Sequence, residues 1–284
     1  MSAPLDSFSR SQVCVVIPTY NEEELVERCV RSIRDAFEYE GKGSGGEGSI
    51  VVTDGGSRDG SVAAAKKAGA IVIETKPDDK RGRGPCLHRG AMGSPSECLV
   101  FVFLHVDCLM PKTFFKDLET YWYSCEASPQ IGFCRIKFTR EGFWMWLFEM
   151  LGRIDSVFSN FGDQGIIVSR DLYNRVGGFR SQVLLEDVQF FRDARPLVDK
   201  IHKFPITLSV SARKFDERGP LTYFIQCCVV LSLYVGLGWS PKRLAKLYNN
   251  PLFFKPGRTS VLVGVMILAM FVYYKAAKPR LSRF

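Results

Sequence analysis

Several stretches of this chain place acids, bases and glycines where they could do chemistry. Asp54 closes an apolar run and opens Asp-Gly-Gly-Ser. A carboxylate there can accept hydrogen bonds from a base or a ribose, and Gly55 and Gly56 let a ligand approach the backbone. An Asx turn is the plainer reading of the same four residues. Asp107 ends Phe-Leu-His-Val-Asp, after the most apolar strand-like run of the chain. It could hold a hard divalent cation together with diphosphate oxygens, or cap the helix expected after Pro111. His105, two residues earlier, reads better as a packed strand-end histidine than as a ligand. Lys80-Arg81-Gly82-Arg83-Gly84 offers forked donors to a diphosphate, or is a solvated basic loop. Glu186-Asp187 could supply a general base, or merely cap a helix. Asp163-Gln164, between Gly162 and Gly165, could bond a sugar or form an ordinary turn. Arg213 and Lys214 follow a strand and could steady a leaving phosphate.

These residues act together only if the elements around them converge. Val13–Pro18, Ile50–Thr53, Ala70–Glu74 and Leu99–Leu104 are short apolar runs and read as strands. Between them, Leu25, Val26, Cys29, Val30 and Ile33 mark a helix, with Asn21 as its N-cap and Glu22 to Glu24 in its first turn. A short helix is expected over Ser61–Ala68, loops over Gly41–Gly48 and Lys76–Pro85. Alternating strands and helices imply parallel βαβ units with both faces of the sheet covered. Ligands of such sheets bind beyond the carboxyl ends of the strands. Those ends carry Thr19 to Glu22, Asp54 to Asp59 and His105 to Asp107, so all three clusters should face one crevice. Further along, strands are expected at Gln130–Phe138, Gly165–Ser169 and Ile206–Ala212, with helices at Phe143–Phe158 and Leu184–Ala194.

The charge distribution is uneven. Residues 1–217 hold 28 basic and 30 acidic side chains, whereas residues 218–284 hold 10 basic ones and no acid. That surplus lies beside the two most apolar stretches, Pro220–Trp239 and Ser260–Tyr274. A nucleic-acid binder spreads basic groups over a folded face; this pattern points instead to a membrane surface. Ser260–Tyr274, extended through Ala277, has about the minimum length of a spanning helix. Pro220–Trp239 is expected to lie at the membrane interface or pack on the domain. Nine irregularly spaced cysteines read as reduced thiols facing the cytosol. Met1 to Arg10 lacks the apolar core of a cleaved secretion signal. The organisation expected is a tail over 1–11, a main domain over 12–217, closing or interfacial helices over 218–258, and a spanning helix with a basic tail over 259–284.

The ordered set VVIPTYNEE, VVTDGGSRDGS, FLHVD, GDQGIIVSRDLYNRVGGF, LLEDVQFFRDAR, SARKF and SPKRLAKLY resembles the family 2 glycosyltransferases of GT-A fold, and most nearly their small "transferase 2" subgroup. The resemblance covers about residues 12–248. It implies a Rossmann-like mixed sheet flanked by helices, here followed by a hydrophobic helical tail. It also implies inverting transfer of a sugar from a nucleotide-sugar donor, assisted by Mg²⁺ or Mn²⁺. Pro18, Thr19, Asn21, Glu22 and Asp54, followed by Gly55, match nucleoside-binding positions. Arg81 and Arg83 match the diphosphate loop, with Arg213 beyond them. Asp107 matches the metal-binding Asp, Asp187 the general base beside Glu186, and Asp163 and Gln164 an acceptor-side turn. Phe215 stands where the subgroup carries Trp. The acceptor is unspecified, a lipid-linked one being among the options. A nucleotidyltransferase would show a glycine-rich G-x-G-type loop after the first strand, and a dinucleotide dehydrogenase G-x-G-x-x-G; neither is present. A membrane-tethered binding protein that keeps only the fold is the remaining alternative, and Asp54, Asp107 and Asp187 argue against it.

Overall fold

The computed structural model describes residues 9–39, 48–156 and 159–249. Eight strands form one sheet: β1 (Val13–Thr19), β2 (Ser49–Asp54), β3 (Ile71–Glu74), β4 (Val100–Phe103), β5 (Cys108–Leu109), β6 (Ile131–Phe138), β7 (Ile166–Ser169) and β8 (His202–Val210). Their order is β3-β2-β1-β4-β7-β6-β8-β5. The first four are mutually parallel. Beyond β4 the sheet becomes mixed: β7 runs antiparallel to β4 and β6, β8 is parallel to β6, and β5 is antiparallel to β8. The parallel strands are covered on both faces, which is why Val13–Ile17 is buried without alternation.

Ten α-helices accompany the sheet among the described residues: α1 (Glu23–Glu38), α2 (Ser61–Lys67), α3 (Arg83–Met92), α4 (Phe114–Ser124), α5 (Phe143–Leu151), α6 (Arg170–Val176), α7 (Glu186–Ala194), α8 (Arg213–Arg218), α9 (Pro220–Val235) and α10 (Pro241–Tyr248). The stripe Val26, Cys29, Val30, Ile33 and Phe37 seats α1 on one sheet face, in a core shared with Phe114, Phe115 and Leu118 of α4. The other face packs Leu87 and Ala91 of α3, Leu172 and Tyr173 of α6, and Phe190 and Phe191 of α7. A third cluster joins α9 and Leu244 of α10 to Val188 of α7.

Four expectations change, the first being the strand expected over Ile206–Ala212, which is β8 and begins at His202 and ends at Val210. Asn21 is not the cap of α1; Glu22 takes that position, and Asn21 sits at φ 52° holding the neighbouring turn. The loop expected through Pro85 ends early, because α3 begins at Arg83. Its two glycines hide it from periodicity, yet both are required. A Cβ at Gly84 would lie 2.6 Å from the Arg180 carbonyl oxygen, and one at Gly90 would lie 2.3 Å from Val16 Cγ1. The helix expected through Phe158 stops at Leu151, followed by Gly152. The Pro220–Trp239 stretch forms α9 and packs on the domain, burying Ile225, Val229, Val230 and Leu233. Among the described residues no helix is long and apolar enough to cross a membrane. The expected spanning segment Ser260–Tyr274, and most of the Gly41–Gly48 loop, lie outside the described residues. All nine cysteines are free thiols, most of them buried.

Candidate active site

Two cavities open at the carboxyl ends of the parallel strands. The first, about 450 Å³, is lined by Pro18, Thr19, Tyr20 and Glu22 after β1, Gly55 after β2, Arg81 to Arg83 at the start of α3, His105 to Asp107 after β4, and Arg213 and Lys214. The second, about 480 Å³, lies between β6, α5, α7 and α9 and is lined by Asp163, Gln164, Glu186 and Asp187 at one end. Arg83, Asp107 and Lys214 line both, so the cavities meet at these three side chains.

Most of the sequence-predicted residues therefore converge, and two do not reach the cavity surface. Asp54 is 4% exposed, and its carboxylate accepts from the Gly56 and Ser57 amides at 2.8 and 3.0 Å. Asn21 Oδ1 accepts from the Arg58 amide and its own N–H donates to Ser57 Oγ, both at 2.9 Å. Both side chains shape the 55–58 turn rather than line the donor cavity, because short acceptors beside free amides bond locally first. Gln164 lines the second cavity with its amide committed: Nε2 donates to the Ser159 carbonyl and Oε1 accepts from Lys203 Nζ. Thr19 is the opposite case. The residue lines the donor cavity, and its Oγ1 is buried with no hydrogen-bond partner.

The charged groups at the junction are arranged in pairs. Arg83 Nε donates to Glu186 in a close ion pair, and its Nη2 lies 3.9 Å from Asp187. Burial works against the Arg83 charge, but Glu186 and Asp187 outweigh it and raise its pKa. Asp187 itself is pushed above the usual carboxylate range, by burial first and by the Glu186 charge second, with Arg83 opposing. Its oxygens are oriented by two amides, Gly162 to Oδ2 and Val188 to Oδ1, each at 2.8 Å. Leu185, just before this acidic pair, is held at φ 60°. That left-handed bend costs an apolar L-residue about 1 kcal/mol or more. It turns the chain directly into α7, whose first residues are Glu186 and Asp187.

His105 is more than the packed histidine expected. Its Nδ1 lies 2.5 Å from Asp163 Oδ1, joining the end of β4 to the Gly-Asp-Gln turn. Burial disfavours the Asp163 charge, yet Lys214, His105 and Arg83 hold its pKa well below the usual range. Lys214 is raised in turn, chiefly by Asp163. Gly162 permits this packing: a Cβ there would meet His105 Nε2 at 2.7 Å and Asp187 Oδ2 at 3.1 Å. On the donor side Arg213 forms a forked pair with Glu22 at 2.7 and 3.0 Å, bridging α8 to the start of α1.

Asp107 is the exception among these acids. Among the described residues no ion pair within 4 Å engages it, and its Oδ1 accepts only a long contact from the Cys108 thiol at 3.8 Å. No three His, Cys, Asp or Glu side chains among the described residues form a metal cage. Mg²⁺ and Mn²⁺ bound beside a diphosphate do not need one, since one or two carboxylates, phosphate oxygens and waters suffice. The uncommitted Asp107 carboxylate, facing both cavities, fits that role. Sequence reasoning overlooked Tyr20, 57% exposed at the donor cavity, and the second cavity's apolar wall. A single exposed aromatic carries no motif, and the wall is contributed by segments distant in sequence.

A parallel half-sheet that turns mixed beyond β4, with two cavities meeting at a lone carboxylate on the sheet edge, is the architecture of a GT-A glycosyltransferase. The chain belongs to glycosyl transferase family 2, whose model matches residues 14–216. Among solved structures it resembles the mannosyltransferase PcManGT of Pyrobaculum calidifontis, solved with GDP-Man and Mn²⁺, at a TM-score of 0.60 and 17% identity over 98% of this chain and 77% of that one. TarS 1–349 of S. aureus gives a TM-score of 0.58 and 14% identity over 93% and 73%. Glucosyl-3-phosphoglycerate synthase of Mycobacterium tuberculosis, solved with Mn²⁺, UDP and glucosyl-3-phosphoglycerate, gives 0.53 and 19% over 76% and 79%. No curated protein sequence matches the chain.

Proposed function

We propose that this glycosyltransferase moves a sugar, with inversion, from a nucleotide-sugar donor in the first cavity to an acceptor hydroxyl in the second. The observation that carries this reading is the sharing of Arg83, Asp107 and Lys214 by both cavities. A diphosphate leaving on one side and a hydroxyl arriving on the other would meet there.

The nucleoside end is read by Pro18, Thr19, Glu22 and Gly55, which line the first cavity. Arg81 and Arg213 reach the diphosphate from the rim. Mg²⁺ or Mn²⁺, held by Asp107, would supply positive charge to the diphosphate oxygens. Asp187 accepts the proton of the acceptor hydroxyl, whose oxygen bonds to the anomeric carbon opposite the leaving group. The carbon–oxygen bond to the diphosphate breaks, and its electron pair stays on the nucleoside diphosphate. Lys214 and Arg83 offset the charge that develops there. Burial, which raises the Asp187 pKa, makes it a stronger base than an exposed carboxylate. The two amides hold it in place for the transfer. Asp163, tied to His105 and Lys214, keeps the acceptor-side turn in register with β4.

The reading extends to location. The acid-free stretch 218–284 and the uncharged run Ser260–Tyr274 support attachment to a membrane, and the nine free thiols support a catalytic domain in the cytosol beside its nucleotide-sugars. Carbonate extraction of the full chain beside a truncation ending at Pro256 tests it; equal release of the two would remove the spanning anchor.

The test of the enzymatic reading is hydrolysis of UDP- and GDP-sugars with Mn²⁺, followed by the anomeric configuration of the sugar released. Inverted product supports the assignment, and retained configuration rejects it. A protein that only binds would shift in melting temperature with a donor yet release no nucleoside diphosphate with any acceptor.

A further inference from the structure

Resting on the transferase reading, we infer that the acceptor is a neutral alcohol carried on an extended apolar body, an alkyl or isoprenoid-like chain, rather than a sugar or a phosphate. The charged residues of the second cavity, Arg218 apart, cluster at the junction. Away from Asp187 its walls are Phe138, Phe148, Phe215, Tyr223, Leu231 and Tyr248, supplied by β6, α5, α8, α9 and α10. Phe138, Phe148, Phe215 and Tyr223 pack against one another with ring centroids 5.0 to 6.4 Å apart, forming one continuous apolar surface. A sugar acceptor needs several directed hydrogen bonds, because buried hydroxyls left unpaired are costly. This wall offers few, and the nearest amide, Gln164, is already committed on both its atoms. An apolar chain loses nothing there and leaves water on entering.

The acid pair at the reacting end works against a phosphate. Asp107, Asp163, Glu186 and Asp187 surround it, against Arg83 and Lys214. Arg83 is already paired with Glu186, and Lys214 lies 3.9 Å from Asp163. An acceptor phosphate would have to lie against the buried Glu186–Asp187 pair, whose neighbouring cation Arg83 is already engaged by both acids, whereas a hydroxyl enters uncharged and gives its proton to Asp187. Arg218, the other cation on the lining, lies at an exposed position over the Tyr248 ring and donates to Gln226 Oε1. The helix that supplies Phe148 is also apolar on its outer side, with Phe143 63% and Trp146 53% exposed. Such a surface suits an approach from a lipid interface.

The experiment is acceptor kinetics on the full chain with Mn²⁺ and whichever of UDP-glucose, UDP-N-acetylglucosamine and GDP-mannose is hydrolysed. A series of n-alkyl alcohols, free monosaccharides, and a long-chain alcohol beside its phosphate ester in neutral vesicles are offered in turn. The expected result is an acceptor KM that falls about fourfold per added methylene until the cavity is full, with the vesicle alcohol preferred over its phosphate. Cys227→Trp, which fills the cavity from α9, should raise that KM tenfold or more; its melting curve reports folding, and the chain-length series stands without it. Turnover of soluble alkyl alcohols alone would place the acceptor in solution, and turnover of the vesicle alcohol alone in the bilayer; either supports the inference. A KM independent of chain length, or preference for monosaccharides or for the phosphate ester, overturns it. Absence of donor hydrolysis and of any transfer would instead count against the transferase reading itself.

Discussion

The donor side and the acceptor side of this molecule are built in different ways. The donor cavity is made of backbone turns and short polar residues at the ends of parallel strands. Three of its segments are a few residues long and follow a parallel strand directly, Pro18 to Glu22 after β1, Gly55 after β2 and His105 to Asp107 after β4, and Arg81 to Arg83 and Arg213–Lys214 complete it. The acceptor cavity is made of side chains from β6, β8, α5, α7, α8, α9 and α10, spread over more than a hundred residues of chain. Polar atoms that grip a phosphate or ribose must be set by backbone geometry, which short local motifs determine. An apolar wall needs only volume and exclusion of water, which many unrelated segments can supply. The donor half should therefore be sensitive to single polar atoms, and the acceptor half to the one base and to bulk.

The largest effect should come from the acceptor side. Asp187→Asn removes the base while keeping shape, and transfer should slow by about 10²–10⁴-fold. Donor binding, followed by thermal shift with a nucleotide-sugar and Mn²⁺, should persist. A rate near that of the unmodified protein on a hydroxyl acceptor would remove Asp187 from the base role and erase the contrast. Asp107→Ala should come next, on the shared boundary. Calorimetry of UDP or GDP with and without Mn²⁺ should show the metal-dependent gain in affinity lost; a gain equal to that of the unmodified protein would reject the metal assignment. His105→Ala should weaken donor binding less, by about tenfold, since His105 acts through Asp163 on the same strand end.

The pH dependence sharpens the comparison. Asp187 is raised by burial and Glu186, so the base form forms only above its elevated pKa. Transfer should fall as pH drops, starting from a higher pH than an exposed carboxylate would give. Asp163 is depressed, so its contribution to folding is full above the unfolded carboxylate pKa and is lost as pH falls through the lower folded value. The expected result is that activity titrates away while the fold, followed by circular dichroism, persists to more acid conditions. Coincident loss of both would show that one group controls both properties.

The smallest effect is expected at Asn21. Asn21→Gly keeps the left-handed backbone and deletes only the bond to the Arg58 amide. About 1 kcal/mol of stability should be lost, a fall in melting temperature of roughly 2–4 °C. Donor affinity should change little, because Asn21 shapes the turn from behind. A tenfold fall in affinity would mean that Asn21 touches the nucleotide directly.

Much of the donor half was legible in the amino-acid sequence. Unbroken apolar runs as short as Val13–Ile17 and Leu99–Leu104, bounded by turn residues, read as buried strands. Parallel chirality then forces the residues that follow them to one edge. The residue types at that edge, with Asp107 ending its strand and Arg81 and Arg83 in a glycine-rich turn, limited the chemistry to anions and cations. What the sequence could not decide was the fate of each polar atom. Asp54 and Asn21 carry the same residue types as ligand-binding groups; Asp54 accepts from amides two and three residues ahead, the Asx turn the sequence already offered, whereas Asn21 accepts from the Arg58 amide 37 residues away, which only the fold brings within reach. The His105–Asp163 pair, the Arg83–Glu186 pair and the apolar wall on α9 likewise join segments 58, 103 and more residues apart. Local pattern determines strands, caps and turns because their interactions span a few residues. Pairing, burial and cavity shape depend on which distant segments the sheet order places side by side, and that was settled only when β4 was joined to β7 rather than to another parallel strand.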